Sequence, residues 1–268
     1  MQALSGIRMT ALYRRPWVFI ILVAAVGLGA AGCVSEIPPT IAHAHIGHAV
    51  TGWHDTPGQD GLLITAAQEA TIGYDHAGYA LEAAATPEQL REHVRHVLHA
   101  YAPERTTPGP GLGYGLCKAL DGALDHLEFA AQSDDATANV RNSAAEIRAN
   151  SQALREKCAL VPELAVEIRA IESEVDALLL TEELRKITDE VMNGSDVNGN
   201  GVVGDHAAEY GIATIRRDID RMTARERPLY SPVATRWLFN LIRLDDGTWT
   251  FRRGGGSGKG GNGGGGGY

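Results

Sequence analysis

Between Leu63 and Leu81 apolar residues return at alternating intervals of four and three: Leu63, Ala67, Ala70, Tyr74, Ala77 and Leu81. That spacing lays them along one stripe of an α-helix, and a strand has no use for it. Thr86-Pro87-Glu88 closes this helix and opens a second, with Thr86 as N-cap and Pro87 in the first turn, running over roughly 87–101. Pro108-Gly109-Pro110-Gly111 forces a turn. A third helix is predicted from Tyr114 to Gln132, burying Leu116, Leu120, Leu124 and Leu127, with Ser133-Asp134-Asp135 breaking it. An Ala/Glu/Arg-rich stretch follows to Met192, where Pro162 is expected to restart the chain as two helices. Gly211 to Ala224 is helical again. Up to that point nothing alternates with the period of a strand. The expected fold class is therefore mostly α: an up-and-down bundle of four or five antiparallel helices over residues 62–225.

The flanks read differently. Residues 33–61 are rich in His, Gly and Pro without a sustained period, which predicts an extended arm. Trp237 to Leu244 and Thr248 to Phe251 flank Asp245-Asp246-Gly247, a short C-terminal β-hairpin signal within residues 226–253. Residues 254–268 are nearly all glycine and are expected to be disordered.

Residues 1–32 have the layout of an export signal. Arg8, Arg14 and Arg15 precede an uncharged, mostly apolar run of 15 residues from Trp17 to Ala31, too short for the ~20 residues a membrane-spanning helix needs. Gly29-Ala30-Ala31-Gly32-Cys33 resembles the lipobox of bacterial lipoproteins, with Ala30 in place of the usual leucine. The resemblance implies cleavage before Cys33 and lipidation of its thiol, hence a lipid anchor on the periplasmic side of the bacterial cell envelope. Cys117 and Cys158 then remain, either as a disulfide between two helices or as two small buried hydrophobes. The chain's formal charge is −9, and it becomes more negative without the arginines of the leader. A body that acidic, with no Lys/Arg stripe, repels phosphate backbones and makes nucleic acid an unsuitable partner.

The most specific local motif runs from Asp196 to Glu209. It resembles the EF-hand calcium loop: Asp196, Asn198 and Asn200 at the first, third and fifth positions supply side-chain oxygens. Gly201 at the sixth permits the turn, Val202 at the seventh offers its carbonyl, and Val203 at the eighth packs the loop down. The twelfth position, normally a bidentate glutamate, is Ala207. Closure of the shell would fall to Asp205 or Glu209, or to water, and the low ligand charge implies weak binding. The alternative is an Asn/Gly-rich turn that holds nothing.

Nine of the ten histidines fall between residues 43 and 126. Neutral imidazole is the commonest ligand for zinc, copper and haem iron. His43, His45 and His48 cluster in the arm, with His54 just beyond. His93, His96 and His99 recur every three residues on the second helix, on the arc opposite Leu90, Val94, Val97, Leu98 and Tyr101. His76 lies off its helix's apolar stripe and His126 at the edge of its own. If the arm folds over the His93/His96/His99 face, four to six imidazoles converge, with Asp55, Asp75 or Asp125 orienting them. The plainer alternative is a set of solvated polar side chains. No Cys-x-x-Cys-His occurs, so covalent haem attachment is excluded. No His-Glu-x-x-His, Gly-x-Ser-x-Gly or phosphate loop occurs either. No reaction is legible, although a metal site with an open position leaves metal-assisted chemistry open.

In order along the chain, His43-Ala44-His45-Ile46-Gly47-His48, Thr51 to Pro57, the His93/His96/His99 helix, Gly109 to Tyr114 and the Asp196 loop are similar to a group of bacterial exported lipoproteins. That group pairs a His-rich helical region with an EF-hand-like loop, over roughly residues 40–210 here. The resemblance implies an architecture and no established activity. Two functions are expected from these readings. One is a lipid-anchored periplasmic metal-binding bundle, with calcium near Asp196 and zinc, copper or haem iron on the histidines. The other is a structural lipoprotein that docks an envelope protein partner, its histidines merely polar and a calcium at most structural.

Overall fold

The computed structural model describes residues 40–82, 86–230, 241–243 and 249–251. Eight α-helices lie among them: α1 (Ile41–Val50), α2 (Leu62–Glu82), α3 (Pro87–Tyr101), α4 (Leu116–Gln132), α5 (Ala138–Asn150), α6 (Gln152–Ala170), α7 (Glu174–Asn193) and α8 (Ile212–Ala224). The protein is a helical bundle. No helix among the described residues is long and apolar enough to cross a membrane. The backbones of Leu241–Arg243 and Trp249–Phe251 pair antiparallel; the Asp245-Asp246-Gly247 turn between them, the glycine tail and the leader with Cys33 lie outside the described residues.

Local signals set most boundaries. Thr86, Thr137 and Ser173 each turn a side-chain oxygen onto a backbone N–H of the first turn of α3, α5 and α7, which satisfies a donor the helix cannot. Thr40 does the same for α1, where the Asp135 carboxylate also accepts from the N–H groups of Ile41 and Ala42, at 2.6 and 3.0 Å. Residues 41–50 of the expected extended arm are therefore a helix. Its buried face, Ala42, Ile46, Ala49 and Val50, packs on α4. Small residues let it approach closely without presenting the large-apolar period that marks a helix in sequence.

Pro162 does not divide the long stretch either. It sits inside α6, and the chain breaks at Ser151 and at residues 171–173 instead. The Cys158 carbonyl, which Pro162 cannot reach for want of an N–H, lies 3.1 Å from the sulfur of Cys117. Cys117 and Cys158 are joined by a disulfide, Cα to Cα 5.9 Å, which ties α4 to α6.

Helices α2 and α3 pack antiparallel at their Gly73–Tyr101 crossing so closely that a Cβ on Gly73 would stand 2.5 Å from the Tyr101 ring. Three fully buried glutamates hold the loops. Glu69 on α2 accepts from the backbone N–H groups of Leu112, Tyr114 and Gly115 at 3.0–3.3 Å. Glu209 accepts from those of Val197, Asn198 and Gly204 at 3.1–3.2 Å. Glu226 takes Thr137, Asn139 and, at 3.0 Å, Nε2 of His43. Burial opposes the Glu226 charge, but the hydrogen bonds from Asn139, His43 and Thr137 outweigh it and hold its carboxyl below the usual range.

Candidate metal centres

The histidines gather as two triads rather than one cluster. His45 and His48 stand three residues apart on α1, so they share a face, and α1 packs on α4, which supplies His126. His93 and His96 stand three apart on α3, and α2 supplies His76. Within each triad one ligating nitrogen from every ring lies within 4.8 Å of the others. Among the described residues these are the two places where three such side chains meet.

The two triads repeat one geometry. The lone ring stacks on the first ring of the helical pair: His126 on His45 at 5.4 Å and 29°, His76 on His93 at 5.2 Å and 30°. It stands edge-on to the second, His126 to His48 at 4.8 Å and His76 to His96 at 4.5 Å, both at 73°. The nitrogens turn inward. His45 Nδ1 faces His126 Nδ1 at 3.2 Å, and His76 Nδ1 faces Nδ1 of His93 at 2.9 Å and of His96 at 3.3 Å. Two lone pairs at that range repel unless a proton or a cation lies between them. Metal–nitrogen bonds of about 2.0–2.1 Å in a tetrahedron put neighbouring donors about 3.3 Å apart, so the spacing fits a shared ion. In the first triad, His48 Nδ1 is buried with no hydrogen-bond partner, an unusual cost unless something engages it.

Burial above all favours the neutral ring at five of these histidines. Burial, then the positive potential of His48 and His45, lowers the His126 pKa to about 4. Burial, then His96 and His93, lowers that of His76 to about 4. Burial likewise lowers His45, against the pull of Asp135, and His48, with His45 and His54 adding to it. His96 is lowered by burial and by Arg95. Neutral imidazole is the form that ligates metal. The triads differ in their walls. Trp53 lies 4.6 Å from the rings of both His48 and His126, with Phe129 at 5.5–5.6 Å from His45 and His126. Tyr79 lies 5.4 Å from His76 and 5.7 Å from His93. Glu92 borders the second triad, where the Arg95 hydrogen bond outweighs burial and brings its carboxyl down to about 2.

Three of the seven expected ligands stand elsewhere. His43 is buried against Glu226. His99 is buried with Nδ1 3.0 Å from the Pro110 carbonyl, pinning the glycine-rich loop. His54 rests against Trp53 at 4.3 Å and joins neither triad. The arm does not fold over the α3 face because α1 docks on α4. His76 and His126, each a single histidine on its helix, complete the triads. Their sequence signal was only a polar ring beside an apolar stripe. Of the expected orienting acids, Asp75 acts on His76 through its charge, Asp55 bonds the Tyr114 hydroxyl at 3.2 Å and Asp125 is exposed; the carboxylate within hydrogen-bond distance of a triad ring is Glu92.

In the Asp196 loop, the Asp196 carboxylate accepts from the N–H groups of Asn200 and Gly201. The side-chain oxygens of Asn198 and Asn200 accept from backbone N–H groups two residues on. The amides of both asparagines donate to Asp205, and the Asn200 bond above all lowers the Asp205 carboxyl. Val202 is exposed. Glu209 accepts from three backbone N–H groups and lies against the Asp205 carboxyl. Asp196, Asp205 and Glu209 do not bring three ligand oxygens within 4.8 Å of one another.

No protein-family model, curated protein or solved structure matches this chain.

Proposed function

We propose that this protein binds two transition-metal ions, one in each histidine triad, as a non-catalytic accessory protein of the bacterial cell envelope. The observation that carries this reading is the paired set of inward-facing ring nitrogens at 2.9–3.3 Å. Zinc and copper suit three imidazoles without thiolate or carboxylate donors. Three protein ligands leave a position for water or for a donor from an envelope protein that exchanges the ion. Haem iron suits the site less, because its axial imidazoles stand on opposite faces of a flat macrocycle, whereas these rings converge on one point. The envelope location and lipid anchor rest on the leader and Cys33, and an oxidising compartment agrees with the Cys117–Cys158 bridge.

Trp53 offers the test, since its ring lies 4.6 Å from two of the ligand rings. Copper(II) is expected to quench a large share of the tryptophan emission. Trp53→Phe should abolish that share while both copper ions still bind, and His126→Ala should abolish it together with one of the two ions. Emission indifferent to copper would favour the structural lipoprotein reading.

Calcium at Asp196, Asn198, Asn200, Val202, Asp205 and Glu209 is supported by the residue spacing alone. Millimolar calcium is expected to raise the melting temperature, and Asp196→Ala to remove the rise. A melt that calcium leaves unchanged in the wild type would withdraw this ion.

A further inference from the structure

The two triads have the same donors but not the same support. His96 points its nitrogens in opposite directions. Nδ1 faces His76 at 3.3 Å, inside the triad, and Nε2 lies 3.1 Å from Oε1 of Glu92, outside it. A carboxylate only accepts, so the ring proton belongs on Nε2 and the Nδ1 lone pair is free for an ion. Glu92 is itself clamped. Arg95 donates from Nε to Oε2 at 2.9 Å and from Nη2 to Oε1 at 2.6 Å. The third nitrogen of Arg95, Nη1, donates to the Thr107 carbonyl and hydroxyl and to the Pro108 carbonyl, at 2.9–3.2 Å. A chain of contacts thus runs from the loop that Glu69 and His99 hold, through Arg95 and Glu92, to one imidazole. Among the described residues no carboxylate hydrogen bonds to His45, His48 or His126.

Resting on the reading of the triads as metal centres, we infer that Glu92 is a positioning residue for the His76/His93/His96 centre, fixing the His96 tautomer, and that this centre therefore takes zinc before the His45/His48/His126 centre does. Such carboxylate–histidine–metal relays are worth about 10- to 100-fold in affinity.

The test isolates each centre. With His126→Ala leaving only the Glu92-supported centre, Glu92→Gln is expected to weaken zinc binding by about 10-fold or more. With His76→Ala leaving only the other, Glu92→Gln should leave zinc affinity unchanged. In the metal-free chain, nitrogen NMR should find the His96 proton on Nε2, and Glu92→Ala should redistribute it between the two nitrogens. Equal zinc affinity with and without Glu92→Gln in the His126→Ala chain, or a His96 tautomer indifferent to Glu92→Ala, overturns the positioning role and leaves the metal reading standing. Absence of zinc binding by the His126→Ala chain with Glu92 intact overturns the metal reading of this centre and the inference with it.

Discussion

Alanine at both His76 and His126 is expected to leave a folded chain that retains neither zinc nor copper. These two rings are the ones each triad cannot replace. His76 Nδ1 faces both partners of its helical pair, and His126 stacks on one partner and meets the other edge-on. What remains after their removal is two histidines three residues apart on one helix, half of a tetrahedral shell with water in the rest. Each single variant should halve the metal retained, from two ions per chain to one, and the double variant should reduce it to none. Stability follows by mass action. At zinc one hundred times above its dissociation constant, each occupied centre adds about 2.7 kcal/mol to the folded state, so the zinc-dependent rise in melting temperature should fall stepwise with the ions. The metal-free melt provides the reference. His76 is only half-buried, so its removal should cost little without zinc. A double variant that keeps its metal would place the ions elsewhere.

The second large effect concerns the loop that supports one centre. Glu69→Ala is expected to destabilise the protein by about 3–5 kcal/mol, because it strips the acceptor from three backbone N–H groups in a buried site and each orphaned donor costs about 1–3 kcal/mol. Glu69→Gln keeps the shape and one acceptor oxygen and should lose roughly half as much. No larger side chain can substitute from the other side: Gly111 has φ +113°, and a Cβ there would stand 2.5 Å from Glu69 Oε2. Chemical denaturation measures the loss. Because the same loop carries the carbonyls that hold Arg95, zinc affinity at the His76/His93/His96 centre should weaken in Glu69→Ala as well. A stability change under about 1 kcal/mol would show that water satisfies those N–H groups and that the buried carboxylate is not what orders the loop.

Helices α2, α3 and α4 were legible because each carries a repeating apolar stripe and ends on strong punctuation: Thr86-Pro87, the Pro108 to Gly111 turn, Ser133. Helix α1 was not, because its buried face is built of Ala, Gly, Ile and a histidine, with little contrast between its sides. Pro162 misled because α6 runs straight through it, with the Cys158 carbonyl that it leaves without an N–H partner lying 3.1 Å from the Cys117 sulfur. The pair His93/His96 was visible as helical spacing, whereas His45 and His48 read only as members of a cluster in an extended arm. Neither pair's partner was visible, since which helix docks on which decides whether His76 or His126 reaches a pair, and packing register is absent from local pattern. The buried glutamates share this fate. Glu69 and Glu226 read as ordinary acids until distant hydrogen-bond donors converge on them, and the three N–H groups that meet Glu209 were not foreseen either.

What surrounds a bound ion decides whether the triads are metal centres. X-ray absorption at the zinc edge, on the chain loaded with two equivalents and freed of excess, reads that shell directly. The predicted result is three imidazole nitrogens at about 2.0–2.1 Å with one further light donor, undivided between the two ions. A shell of oxygens without imidazole scattering, or zinc lost on desalting, would contradict it.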